Sequence, residues 1–207
     1  CIRVPAGATL SSAARAAMQN SLAGMEFASG IPGTVGGALI MNAGAYGGEM
    51  KQITEAVSYI DPSGEEHIAS NDEMEFSYRR SALSDTDCII TGAVLKLSRG
   101  EKDEINEKMQ ELARLRREKQ PLEFPSAGST FKRPEGYFAG TLIEQTGLKG
   151  YTIGGAQVSE KHAGFIINRG GATTADILAL INYVRGAVFE KHSVELEPEV
   201  KYWSDDE

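Results

Sequence analysis

A chain of 207 residues, 41% apolar and 24% charged, can bury one large core or two small ones and has the composition of an ordinary folded protein. Its net charge of −8 argues against non-specific nucleic-acid binding, which needs a basic surface, but is compatible with a small anionic substrate gripped by locally gathered cations. No apolar run approaches the ~20 residues of a membrane span, and Cys1-Ile2-Arg3-Val4-Pro5 carries no apolar signal region, so neither a membrane partner nor secretion is expected. The two cysteines, Cys1 and Cys88, and the three scattered histidines, His67, His162 and His192, form no metal-ligand or disulfide spacing, so no metal is expected and a reducing, cytoplasmic setting is.

In chain order, Ile2-Arg3-Val4 is a short extended run, and the chain reads as though it begins mid-structure. Thr9 or Ser11 caps a small helix through Ala13, Ala14, Ala17 and Met18. Gly24, Gly30, Gly33, Gly36, Gly37, Gly44, Gly47 and Gly48 then crowd together, too densely for ordinary helix or strand. The apolar Val35, Leu39, Ile40 and Met41 among them imply a buried loop system. Strands are expected at 53–60, 65–69 and 88–97, the first two joined by the turn Asp61-Pro62-Ser63-Gly64. From 101 to 119 the period becomes helical, with Ile105, Met109, Leu112 and Leu115 on one face, and Pro121 and Pro125 end it.

The second half alternates short elements. A helix is expected near 139–146 and a strand at 164–168, followed by a long helix with the capping-box variant Thr173-Thr174-Ala175-Asp176 and the apolar face Ile177, Leu180, Ile181, Val184 and Val188. A last strand at 194–200 sets Val194, Leu196 and Val200 opposite Glu195, Glu197 and Glu199. The expected fold class is α+β in two parts, 1–100 and 101–207, with the 101–119 helix in the second.

Glycines let a backbone turn its N–H groups toward a phosphate at close range. The run Gly30-Ile31-Pro32-Gly33-Thr34-Val35-Gly36-Gly37 has that capacity, but it is neither a Rossmann nor a P-loop pattern, and its spacing alone favours a structural turn. The neighbouring Asn42-Ala43-Gly44-Ala45-Tyr46-Gly47-Gly48 weakens that reading, because two adjacent loops of small residues with one amide and one phenol look like a cradle for a planar polar ligand. Elsewhere, Arg79 and Arg80 read either as solvated turn residues or as a fork for a substrate carboxylate. Ser129, in a glycine-containing turn, has no His/Asp partner spacing that would make it a hydrolase nucleophile. Arg116 and Lys119 end a helix, where cations also favour the dipole.

The segments Phe27–Ala38 and Met41–Glu49 resemble the flavin-binding loops of UDP-N-acetylenolpyruvoylglucosamine reductases, relatives of vanillyl-alcohol oxidase and p-cresol methylhydroxylase. The resemblance continues in order through Tyr78-Arg79-Arg80-Ser81, Arg116-x-x-Lys119-x-Pro121, Gly128-Ser129-Thr130-Phe131 and Leu196-Glu197-Pro198-Glu199-Val200. It implies the C-terminal portion of an FAD-binding domain followed by a smaller substrate-binding domain. An earlier glycine-rich segment, which in the family holds the FAD pyrophosphate, is not found before Cys1.

By the same resemblance, FAD would lie against Gly33, Thr34, Val35, Gly36, Gly37, Asn42, Gly44, Ala45 and Tyr46, with NADPH as co-substrate. Arg79, Ser129 and Glu199 would be the catalytic residues. Arg116 and Lys119, with Lys132 and His162 in support, would bind UDP-N-acetylglucosamine enolpyruvate. Ser129 would need cationic neighbours, and Lys132 and Arg133 follow it at once; Arg133 departs from the asparagine of some relatives. The interval 151–159 is too short for the tyrosine-bearing loop of long-form members, so the short form is implied. Two other readings are an alcohol- or phenol-oxidising flavoenzyme, though Cys88 and His162 lie in no flavin-attachment motif, and a non-catalytic nucleotide-binding module.

Overall fold

A computed structural model describes residues 1–202, and its packing divides the chain between Arg116 and Arg117 into two compact units. In the first, β1 (Ile2–Pro5) leads to α1 (Leu10–Gln19), capped by Thr9, whose side chain accepts the Ser12 N–H. The buried face of α1 contains the predicted Ala13, Ala14 and Ala17, with Leu10 in addition, while Met18 is only half-buried. Beyond it come α2 (Val35–Ile40) and the strands β2 (Thr54–Ile60), β3 (Glu66–Ser70) and β4 (Ile89–Leu95). These strands form an antiparallel sheet in the order β1-β4-β2-β3, one face of which packs Val57, Ala93 and Leu95 against α1 and α2. The hairpin between β2 and β3 turns at Asp61–Gly64 as the sequence predicts, with the Gly64 N–H donating to the Asp61 carbonyl.

Two expectations for this half need correction. The glycine-rich region is not loop throughout, because α2 forms inside it. Thr34 caps that helix by accepting the Gly37 N–H, and Val35, Ala38 and Leu39 are buried against the unit's core, so tertiary packing overrides the poor helix propensity of Gly36 and Gly37. The long helix α3 (Lys102–Lys119) belongs mostly to the first unit rather than to the second. Ile105 lies beside Gly100, which itself packs on Ala23, and Met109 packs on the first unit's core.

The second unit contains β5 (Ser126–Ser129), α4 (Ala139–Thr146), β6 (Thr152–Ile153), β7 (Ala156–Val158), β8 (Phe165–Asn168) and α5 (Thr174–His192). Its antiparallel sheet runs β6-β7-β8-β5, and α4 and α5 cover it over Ile143, Val158, Ile166, Leu180 and Val184. Thr173 and Asp176 complete the predicted capping box at the start of α5.

The strand expected at 194–200 is absent among the described residues. Only one bridge forms, between Phe131 and Pro198, flanked by the Lys132 N–H on the Glu197 carbonyl and the Glu199 N–H on the Thr130 carbonyl, while the Thr130 N–H that would extend the ladder goes to Gly164 instead. Leu196 is nevertheless fully buried, so the segment is anchored at the predicted position. Among the described residues no helix is long and apolar enough to cross a membrane.

Candidate active site

In the first unit, two runs of small residues lie side by side. The Leu10 N–H donates to the Gly33 carbonyl, Val35 N–H to Ala8, and Gly36 N–H to Ala6, at 3.1, 2.9 and 2.9 Å. Val35 and Gly36 are therefore buried in the fold with their amides engaged, while Gly33, Thr34 and Gly37 stay exposed. Gly33 sits at φ 133, where side chains are disfavoured, and nothing lies within 4 Å of where a Cβ would point. Among the described residues the Gly7, Gly33 and Thr34 amides meet no acceptor. The result is a bare backbone edge with unpaired donors, of the kind that can approach a pyrophosphate or a flat ring.

Asn42 has a different job. It is 1% exposed, and its amide donates to the Glu49 carboxylate at 3.1 Å and the Ser77 carbonyl at 3.0 Å while accepting the Lys51 N–H at 2.9 Å. Its side chain ties the second glycine loop to the turn carrying Tyr78 and Arg79. Gly44 and Ala45 pair with Gly48 and Glu49 beside it, and Tyr46 protrudes, 43% exposed.

Ser77 and Arg80 close the arginine turn by exchanging backbone hydrogen bonds at 3.0 and 3.3 Å. Arg79 takes the left-handed conformation, φ 55, with its guanidinium 5.0 Å from the Tyr78 ring centroid. Arg80 instead pairs with Asp85 at 2.7 Å in solvent. Among the described residues Asn42, Tyr46 and Arg79 of these loops, and Glu75 just before the arginine turn, have positive φ, the kind of local strain that clusters at functional sites. Arg116 hydrogen-bonds the Gly30 carbonyl, which pins the entry to the first glycine loop.

In the second unit, Ser129 ends β5 and is exposed, and Thr130 behind it is buried. The Thr130 carbonyl accepts the Glu199 N–H at 2.8 Å, and the Glu197 carbonyl accepts the Lys132 N–H at 2.9 Å. Ser129 and Glu199 thus sit on two crossing segments joined at Thr130. The cations expected to activate Ser129 have other partners: Lys132 pairs with Glu197, and Arg133 stacks 4.0 Å from the Phe138 centroid. Lys119 is exposed in the last turn of α3.

His162 lies in the turn before β8. Its Nδ1 accepts the Gly164 N–H at 3.1 Å, which leaves the hydrogen of the neutral ring on Nε2. Burial disfavours the imidazolium and pushes its pKa below the ordinary histidine value, with the Lys149 ammonium adding to the shift and Glu144 opposing it. The buried Ser159, which sequence reasoning passed over, holds this turn by accepting the Lys161 and His162 amides at 3.2 Å. A serine two and three residues ahead of those amides was the available signal.

Asp61, Glu65 and His67 also come together, on the β2–β3 turn. Asp61 already accepts the Ser63 N–H and hydroxyl and the Glu65 N–H, and it faces His67 at 2.8 Å. This cluster therefore serves the hairpin. The Ser63 hydroxyl and His67 hold its carboxyl well below the usual carboxylate range.

Residues 1–70 match the FAD binding domain family, and residues 120–203 match the UDP-N-acetylenolpyruvoylglucosamine reductase, C-terminal domain, family. The chain is 59% identical over 196 residues to the UDP-N-acetylenolpyruvoylglucosamine reductase of Caldanaerobacter subterraneus subsp. tengcongensis and 56% identical over 200 to that of Clostridioides difficile. The crystal structure of UDP-N-acetylenolpyruvylglucosamine reductase from Thermus caldophilus is similar at a TM-score of 0.85 and 39% identity, over 96% of this chain and 71% of that one. The chain belongs to the UDP-N-acetylenolpyruvoylglucosamine reductase family.

It covers 95% and 97% of its own length in the first two alignments but spans only 65% and 66% of those relatives. The reductase-family C-terminal match covers the unit that holds Ser129, Lys132, His162 and Glu199. The FAD-family match covers the two glycine loops and stops before Arg79.

Proposed function

We propose that this chain carries the substrate-converting part of a flavin-dependent reductase that turns UDP-N-acetylglucosamine enolpyruvate into UDP-N-acetylmuramate, a peptidoglycan precursor, with NADPH as reductant in the cytoplasm. The observation that carries the reading is the crossing at Thr130, which brings a hydroxyl donor, Ser129, and a carboxylate, Glu199, onto adjoining segments. Membership of the reductase family supports the substrate class.

The fit of the first unit to FAD rests on its bare edge. Gly7, Gly33 and Thr34 offer unpaired amides, and no side chain stands above Gly33. Gly33, Thr34 and Gly37, with Gly44, Ala45 and Tyr46 from the second loop, would hold the flavin. Val35, Gly36 and Asn42 would act from behind, through the folding of the loops. When bound, the flavin supplies the hydride chemistry.

The remaining work belongs to side chains. Reduction of the enolpyruvyl double bond places negative charge next to the substrate carboxylate, so fixed positive charge and hydrogen bonding must meet it there. Arg79 grips the carboxylate, and its guanidinium fork suits that task. Glu199 orients the substrate and helps stabilise its enol form. Ser129 delivers the proton from Oγ to the adjacent carbon. Arg116, Lys119, Lys132 and His162 bind the UDP-sugar, His162 through its Nε2–H.

Ser129→Ala tests the proton donor in the flavin-loaded enzyme. NADPH is expected to bleach the flavin as in the wild type, while reoxidation by the enolpyruvyl substrate slows by roughly 10²–10⁴-fold. Reoxidation at the wild-type rate would show the assignment to be wrong.

A further inference from the structure

Thr130 has no role in the chemistry above, yet it is 3% exposed and every polar group it carries is engaged. Its N–H donates to the Gly164 carbonyl at 2.8 Å, its carbonyl accepts the Glu199 N–H at 2.8 Å, and its Oγ1 accepts the Ile166 N–H at 3.1 Å. Those three bonds reach three places: the His162 turn, the segment bearing Glu199, and β8.

The side-chain bond is the informative one. The β5–β8 ladder pairs Ser129 with Phe165 and Ser126 with Ile167, and its register shifts between those two pairs. A register irregularity of this kind leaves a backbone group without its ladder partner, and a buried N–H left unpaired is destabilising. Ile166 occupies the irregularity and is itself buried. The Thr130 hydroxyl accepts the N–H that the ladder cannot. It therefore locks the end of β5, where Ser129 sits, onto β8, while the same residue's carbonyl locks on Glu199. A valine would fill the same space but offer no acceptor.

We infer that Thr130 is a positioning residue, which sets the placement of the Ser129 hydroxyl relative to the Glu199 carboxylate by holding both segments to β8. The inference rests on the roles proposed for Ser129 and Glu199. It also accounts for a feature those roles leave unexplained, a buried threonine between an exposed serine and a core phenylalanine. His162 reinforces the arrangement, because Gly164, whose carbonyl accepts the Thr130 N–H, donates its own N–H to Nδ1.

The test compares Thr130→Val with Thr130→Ser in the flavin-loaded enzyme. Thr130→Val is expected to leave NADPH-driven bleaching unchanged and to slow reoxidation by the enolpyruvyl substrate on the order of 10–100-fold, the usual consequence of small misplacement. The loss should appear in kcat rather than KM, with a larger solvent deuterium isotope effect as proton delivery becomes limiting. Thr130→Ser keeps the hydroxyl and should stay near the wild-type rate. A wild-type rate in Thr130→Val overturns the inference, and so does equal slowing by both variants.

If Thr130→Val does not load flavin, Thr130→Cys replaces it, since a thiol is a weak acceptor; slow reoxidation then supports the role and a normal rate overturns it. A wild-type enzyme that the enolpyruvyl substrate cannot reoxidise would refute the functional reading separately. Thr130 is then judged by hydrogen exchange at the Ile166 and Glu199 amides. Faster exchange in Thr130→Val than in Thr130→Ser supports the lock, and unchanged protection in both overturns it.

Discussion

The glycine loops of the first unit and the Thr130 crossing of the second present functional groups in opposite ways. In the loops the useful surface is backbone, exposed because side chains are missing at Gly7 and Gly33; backbone hydrogen bonds from Leu10, Val35 and Gly36 hold the first loop, and the buried amide of Asn42 holds the second. At the crossing the useful groups are side chains, on Ser129 and Glu199, and the support comes from the backbone and hydroxyl hydrogen bonds of Thr130. A bare backbone surface is held by hydrogen bonds from the segments behind it. A pair of working side chains needs a rigid backbone junction.

The most severe way to break that contrast is to remove the support under the loops. Asn42→Ala leaves the Lys51 N–H and the Ser77 carbonyl without their partner in a part-buried setting. It is expected to destabilise the fold by roughly 1–3 kcal/mol, read from urea unfolding. A cost near zero would mean that the glycines alone shape the loops.

The next largest effect separates two reasons for glycine. A Cβ on Gly48 would lie 2.5 Å from the Phe27 ring, so Gly48→Ala should cost about 1–3 kcal/mol by overpacking. Gly33→Ala meets no neighbour, and its cost is backbone strain of about 1 kcal/mol. Thermal unfolding of the two variants orders them. Flavin titration should place the greater loss of cofactor affinity at Gly33, because the new methyl projects from the bare edge.

The smallest effect sharpens the other side. Burial lowers the His162 pKa below its free value of 6.5, so on acidification the unfolded chain takes up the proton before the folded one. Stability then rises with pH across that interval, and the contribution is lost as pH falls below 6.5. The wild type should therefore lose more thermal stability between pH 7.5 and pH 5.5 than His162→Gln, whose carbonyl can still accept the Gly164 N–H. Equal losses would mean that His162 is not held neutral.

Much of the fold is legible because its signals are local. Thr9 and the Thr173–Asp176 box cap their helices through bonds three residues away, and the Asp61–Gly64 turn closes within itself. What is not legible depends on distant partners. The helix at 35–40 forms because Val35, Ala38 and Leu39 have a core to enter, against the propensity of two adjacent glycines. The long helix joins the first unit because Ile105 and Met109 find their neighbours there, which no charge or period along 101–119 reveals. The segment 194–200 keeps its alternation, with Leu196 buried and Glu195 and Glu197 exposed, yet it forms a bridge and not a strand, since the Thr130 N–H is taken by Gly164.

The same division holds at the candidate site. The residue types and their order, a glycine run, an arginine pair, a serine in Gly128-Ser129-Thr130-Phe131 and a glutamate after Pro198, are properties of the sequence and were sufficient to point to the family. The sequence also determined which helices could be capped and which faces were apolar, since these follow from spacing alone. Only the tertiary structure decided that Asn42 ties the second glycine loop to the arginine turn, that Lys132 and Arg133 turn to Glu197 and Phe138, and that Thr130 joins the segments of Ser129 and Glu199. Each of these depends on hydrogen bonds or packing between residues far apart in the chain, where spacing carries no information about which donor will meet which acceptor.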